Sequence, residues 1–212
     1  MIPCEDVMLN GLFHLPANAK GIVIFAHGSG SGRLSPRNQF VARELQTAHF
    51  ATLLFDLLTQ EEEQLDSLTA GYRFNIPFLA KRLIIATEWI QQAELKQLPI
   101  AYFGASTGGA AALVAAAQLK NLIKAVVSRG GRPDLAGLLL PVVEAPTLLI
   151  VGGEDEQVIL LNEIASKQLK CVNEIAIVNG ATHLFEEPGK LEEVSELAKD
   201  WFQKYLPSLR RA

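Results

Sequence analysis

Apolar positions along this chain fall into two textures. The first is a set of short, mostly apolar segments, over 21–26, 51–55, 98–103, 123–128, 147–151 and 174–178, which read as strands. The continuous run over 21–26 predicts a strand buried on both faces. The second is a helical spacing of apolar residues between the runs. It predicts helices over about 36–47, 74–95, 110–119 and 158–169, and a short one over 133–137. Pro36 and Pro77 fall in first turns, where proline is tolerated. Leu191, Val194, Ala198, Trp201, Phe202 and Tyr205 mark one face of a closing helix. Ahead of the first run, residues 7–9, then Asn10-Gly11, then 12–15 predict a β-hairpin, because Asn-Gly is the favoured two-residue turn.

A hairpin followed by alternating strands and helices predicts an α/β fold with a mostly parallel sheet flanked by helices on both faces. Right-handed crossovers bring the loops after 26, 56, 104, 129, 152 and 178 to one rim. Residues distant in sequence can therefore converge there. Residues 57–73, with Glu61-Glu62-Glu63, show no core pattern. They read as a solvated loop or short exposed helix rather than a lid, although they could partly cover a site. Residues 130–146 leave little room for a cap, which predicts an open, shallow site.

Composition narrows the class. The 212 residues suit a single domain, 1–212, with a sizeable core. Hydrophobic content of 49% and charged content of 20% exclude a disordered chain. A net charge of −4 argues against a nucleic-acid surface. No apolar run approaches the roughly 20 residues of a membrane helix. The N-terminus has no basic-then-apolar signal pattern. Cys4 and Cys171 form no metal-ligand pattern, so two reduced thiols in a cytoplasmic protein are expected. No metal or cofactor is expected, the partner being a small-molecule substrate. Monomer and homodimer stay equally open.

The chemistry centres on Gly104-Ala105-Ser106-Thr107-Gly108, between a predicted strand and a predicted helix. This is the G-x-S-x-G pattern in its strand–turn–helix context. A serine hydroxyl needs a base, and the base an orienting acid. Among the four histidines, only His183 follows Ser106, in the loop after the last strand. The acid should lie between them on the same rim. Asp155 is the first candidate, with Glu154, Glu156 and Asp134 as alternatives. The oxyanion donors are expected to be the N–H groups of Thr107, at a helix start, and of Ser29, in the loop after the first parallel strand. Ser29 would then act through its backbone, so that Ser29→Ala is mild. His27 reads as a structural hydrogen-bonding group. Nucleotide binding is disfavoured: residues 28–33 misplace the third glycine of G-x-G-x-x-G, and Ala110-Ala111 replace Lys and Ser/Thr of a phosphate loop.

Together, His27-Gly-Ser-Gly, Gly-Ala-Ser106-Thr-Gly, Gly-Gly-Glu-Asp155-Glu and Gly-Ala-Thr-His183 resemble the α/β-hydrolases, and within them the dienelactone-hydrolase-like branch. The resemblance covers nearly the whole chain. It implies Ser106 as nucleophile, Asp155 as acid and His183 as base, in an enzyme cleaving small carboxylic esters. Thioesterase, lactonase and non-catalytic binding are the competing readings. Dienelactone hydrolase itself uses cysteine, and serine here favours ordinary ester hydrolysis. Arg129, Arg33 and Arg37 lie near the rim. They read either as ion-pairing residues, with Asp134 or the 61–63 glutamates, or as ligands for a substrate carboxylate.

Overall fold

The computed structural model describes residues 1–92 and 95–206. Each predicted apolar run forms a strand. Three short strands come first, β1 (Ile2–Cys4), β2 (Val7–Leu9) and β3 (Gly11–His14). The parallel strands follow: β4 (Gly21–Ala26), β5 (Phe50–Phe55), β6 (Ile100–Ala105), β7 (Ile123–Arg129), β8 (Thr147–Gly152) and β9 (Asn173–Val178). The helices are α1 (Pro36–Thr47), α2 (Gln60–Thr69), α3 (Ile76–Gln92), α4 (Thr107–Leu119), α5 (Glu156–Gln168) and α6 (Lys190–Tyr205). Seven strands form one sheet in the order β3-β5-β4-β6-β7-β8-β9, with only β3 antiparallel. All six residues of β4, β5, β6 and β8 are buried, which is why these segments are mostly apolar.

The N-terminal hairpin exists but lies one strand earlier than expected. It pairs β1 with β2, Ile2 opposite Leu9 and Cys4 opposite Val7, and turns at Glu5-Asp6, where Glu5 has φ 52°. The chain passes straight through Asn10-Gly11, and neither residue has the positive φ that a type I′ turn requires. Instead β3 pairs antiparallel with β5, Gly11 opposite Phe55, and the Asp56 N–H extends that ladder to the Asn10 carbonyl at 2.9 Å. Gly11 serves close packing: a Cβ there would lie 3.3 Å from Ile2 Cδ1 and 3.4 Å from Leu53 Cδ1.

The sheet separates two apolar layers. On one side Leu83, Leu113, Tyr102 and Leu149 pack among α3, α4 and the sheet. On the other, Leu45 of α1 and Trp201 and Phe202 of α6 cover Phe25, Phe103 and Val127. Helix α4 is buried from Thr107 to Ala117 on every side, so small residues occupy nearly all of it. α3 begins at Ile76; its expected end near Leu95 falls partly on residues 93–94, outside the described residues. The helix expected over 133–137 is a 3₁₀ segment, Pro133–Val142, kinked at Gly137, where φ is 53°.

Candidate active site

Strand β6 ends at Ala105 and α4 begins at Thr107, so Ser106 makes the whole turn alone. Its φ of 51° and ψ of −120° place a residue bearing Cβ where few are stable. Such a conformation costs on the order of 1–3 kcal/mol and persists only when its surroundings over-determine it. Here the Ser106 N–H donates to the Arg129 carbonyl at 3.2 Å. Its own carbonyl accepts from Gly109 at 3.0 Å and Arg132 at 3.1 Å. The flanking glycines are required by contact. A Cβ at Gly104 would fall 2.5 Å from the Gly108 oxygen, and one at Gly108 would fall 2.1 Å from the Ala26 oxygen.

Asp155 and His183 come together from the ends of β8 and β9. The His183 Nδ1–H donates to Asp155 Oδ2 at 2.6 Å. That bond leaves Nε2 as the proton acceptor. Backbone bonds zip the two loops: Gly153 N–H to the Val178 oxygen at 2.9 Å and Glu154 N–H to the Ala181 oxygen at 3.0 Å. The other acids considered are placed elsewhere. Asp134 pairs with Arg132 at 2.8 Å, Glu156 opens α5, and the Glu154 side chain makes no bond to His183. Gly130 joins the two halves of the site. It follows Arg129, whose carbonyl holds Ser106, and a Cβ on it would lie 3.6 Å from His183 Cε1. The Ser106 hydroxyl has no hydrogen-bond partner among the described residues, so its contact with His183 is open in this conformation. Such bonds commonly tighten only around substrate.

The loop after β4 lies against the turn. A Cβ at Gly28 would sit 3.0 Å from Ser106 Cβ, and the Ser29 hydroxyl bonds the Thr107 hydroxyl at 3.1 Å. The two segments expected to supply oxyanion donors are therefore tied by their own side chains. This link gives Ser29 a positioning role beyond its backbone. Ser29→Ala is expected to lower kcat by about 3- to 10-fold, in line with one neutral hydrogen bond of about 1 kcal/mol. A steady-state comparison of kcat and KM checks it.

Buried His27 anchors the same loop from beneath. Its Nδ1–H donates to the Gly28 carbonyl at 2.9 Å, and its Nε2 accepts from the Leu57 N–H at 2.8 Å. Only the neutral ring satisfies both bonds. Burial holds its pKa below the ordinary 6.5, against the upward pull of Gly28, Asp56 and Glu63. The unfolded chain, with His27 at its ordinary value, binds this proton more readily than the folded chain. His27 therefore contributes stability above about pH 6.5 that is lost as pH falls through the depressed folded value. Thermal melts between pH 8 and pH 5 should show a smaller acid-side drop for His27→Asn than for wild type.

A cavity of about 100 Å³ opens beside the oxyanion loop, lined by Gly28, Ser29, Thr107, Leu57, Glu63 and Arg73, among others. Its far wall is the 57–73 stretch. That stretch is an exposed helix for most of its length, but it also walls the site. Thr59 and Glu62 form a capping box that starts α2. Asp66, buried at its end, accepts from the Tyr72 and Arg73 N–H groups at 2.7 and 2.9 Å and pairs with Arg73 Nε at 2.8 Å. These bonds hold Asp66 below the ordinary carboxylate range although burial opposes them. The sequence reading missed Glu63, Asp66 and Arg73 as site residues. The Thr-x-x-Glu spacing was the signal that could have located the helix.

Two of the three rim arginines reach carboxylates. Arg33 pairs with Asp56, and Arg37 with Glu186 at 2.5 Å. Arg129 is only 5% exposed. It donates to Asn38 Oδ1 at 3.2 Å and lies over the Phe185 ring at 5.7 Å, beneath the His183 loop. Burial, then neighbouring Arg37, brings its pKa down to about 10. Among the described residues no three His, Cys, Asp or Glu side chains gather as metal ligands, and no helix is long and apolar enough to cross a membrane.

Comparison with known proteins agrees with this fold. A family model for the alpha/beta hydrolase fold matches residues 21–152. A crystal structure of a dienelactone hydrolase from Anabaena variabilis is 55% identical, covers 96% of this chain and 95% of that one, and superposes with a TM-score of 0.94. A lidless α/β serine hydrolase from Xanthomonas campestris shares the fold at 19% identity, with a TM-score of 0.77 over 95% of this chain and 91% of that one. A protein of Mycobacterium tuberculosis, whose name provisionally assigns it to the phosphoribosyl transferases, is 54% identical over 201 residues. That match covers 94% of this chain but 44% of the relative, so the chain spans about half the length of the curated relatives it matches.

Proposed function

Since this chain belongs to the alpha/beta hydrolase family, in its dienelactone-hydrolase-like branch, we propose that it is a serine hydrolase of small carboxylic esters, with Ser106 as nucleophile, His183 as base and Asp155 as acid. The observation that carries this reading is the 2.6 Å His183–Asp155 bond beside a Ser106 held at φ 51°. In the first step His183 Nε2 takes the Ser106 proton as Oγ attacks the ester carbonyl. The Ser29 and Thr107 N–H groups receive the oxyanion. His183 then protonates the departing alcohol. In the second step water, deprotonated by His183, attacks the acyl-serine and releases the acid. Asp155 keeps the imidazole in the Nδ1–H tautomer throughout.

A lactone is the second reading, favoured by the similarity to the protein named as a dienelactone hydrolase. Its acyl carbonyl asks the same of this site. The transferase name of the mycobacterial relatives does not inform this reading, because more than half of their length lies outside the match. Stopped-flow hydrolysis of p-nitrophenyl acetate tests the proposal. A burst of nitrophenolate close to one equivalent per chain, followed by slower turnover, is expected from an acyl-enzyme. A wild-type chain that is folded and releases no nitrophenolate above background contradicts it.

A further inference from the structure

Three carboxylates line the cavity beside the oxyanion loop: Asp56, Glu63 and Asp66. Two of them are neutralised. Asp56 is paired with Arg33, and Asp66 with Arg73. Glu63 makes no side-chain hydrogen bond or ion pair among the described residues, and its helix neighbour Glu62 takes Arg82. One carboxylate is thus left facing the cavity with no counter-charge. It shares that cavity's lining with Gly28, Ser29 and Thr107 of the expected oxyanion segments.

The other walls do not offset it. The Arg73 Nε and Nη2 groups are spent on the Asp66 side chain and carbonyl. Arg37 is held by Glu186 on another loop, and Arg129 is buried beneath His183. The remaining lining consists of the His27 ring, which both its hydrogen bonds require to be neutral, with hydroxyls, backbone and leucine side chains that carry no charge. Glu63 is itself exposed to solvent at the cavity's outer wall, so a substrate group seated here meets a single uncompensated negative charge that water and salt partly screen.

We propose that Glu63 is a specificity-determining residue and that the natural ester carries an ammonium group on the part that fills this cavity. The inference rests on the serine-hydrolase reading for its substrate class. A cationic group would be held against Glu63 while the ester carbonyl lies over Ser29 and Thr107. An anionic group in the same place would be repelled. This assigns the cavity a preference opposite to the carboxylate recognition considered for the rim arginines.

Paired isosteric esters test it. Acetylcholine and 3,3-dimethylbutyl acetate differ by one charge on the alcohol side. The p-nitrophenyl esters of 4-(trimethylammonio)butyrate and 5,5-dimethylhexanoate differ in the same way on the acyl side. The readout is the cationic-to-neutral ratio of kcat/KM within each protein. Wild type should favour the cationic member of at least one pair by about three- to fivefold, and Glu63→Gln should abolish that preference. Added salt should reduce it in wild type. A ratio near one in wild type for both pairs, or a ratio unchanged in Glu63→Gln, overturns the proposal. Hydrolysis of the neutral esters reports separately on the serine-hydrolase reading. Should none be hydrolysed, chemical-shift titration with choline and 3,3-dimethylbutanol decides the Glu63 assignment. Tighter choline binding that is lost in Glu63→Gln supports it, and equal binding overturns it.

Discussion

Ser106→Ala is expected to lower ester turnover by about 10⁴-fold or more while leaving the chain folded. The size follows from the role. Without Oγ there is no acyl-enzyme, and His183 has no proton to take from a positioned nucleophile. What survives is the oxyanion loop and the cavity, which can still bind an ester and polarise it for attack by water. At about 1.4 kcal/mol per decade, the loss is about 5 kcal/mol of transition-state stabilisation. Folding should be nearly unchanged, because alanine keeps the Cβ, and the backbone bonds to Arg129, Gly109 and Arg132 need no side chain. Turnover and thermal midpoint measured on the same preparation check both halves. Loss of activity with a matching loss of fold would instead make Ser106 a structural residue of the turn.

Asp155→Asn should lower kcat by about 10³- to 10⁴-fold with KM changed little. The carboxylate accepts the His183 Nδ1–H and so presents the Nε2 lone pair to Ser106. An asparagine amide can donate to Nδ1 instead. The ring would then carry its proton on Nε2, where it cannot take one from serine, and the imidazolium formed during attack would lose its counter-charge. Binding should survive, since neither Asp155 nor His183 lines the cavity. Asp155→Glu keeps the charge and should recover part of the activity. Equal losses in both variants would point to collapse of the β8–β9 loops, whose backbone bonds begin two residues before Asp155.

Most of the frame was legible because its cause is local. An unbroken apolar run such as 21–26 admits few structures other than a strand covered on both faces, and the rim follows from the handedness of the crossovers. The elbow was legible for a similar reason, since only small residues fit where a Cβ at Gly108 would meet the Ala26 carbonyl at 2.1 Å. The hairpin was misplaced because Asn10-Gly11 satisfies a turn preference that tertiary pairing overrides: β5 offered β3 a ladder, and Gly11 was needed for packing against Ile2 and Leu53. The site wall at 57–73 was obscured because α2 shows solvent nearly its whole surface. Its contribution rests on one buried carboxylate, Asp66, bonded to residues six and seven positions later. Partners such as Glu186 for Arg37, 149 residues apart, depend on loop placement that no local pattern encodes.

Everything proposed for this site depends on Ser106 being a nucleophile activated by this fold. The most direct measurement is treatment with a fluorophosphonate, followed by peptide mass mapping of the modified residue in wild type and in His183→Ala. One adduct per chain, on Ser106, is expected in wild type, with its formation slowed at least a hundredfold in His183→Ala. A folded wild-type chain that takes up no label, or takes it up on another residue, would contradict it.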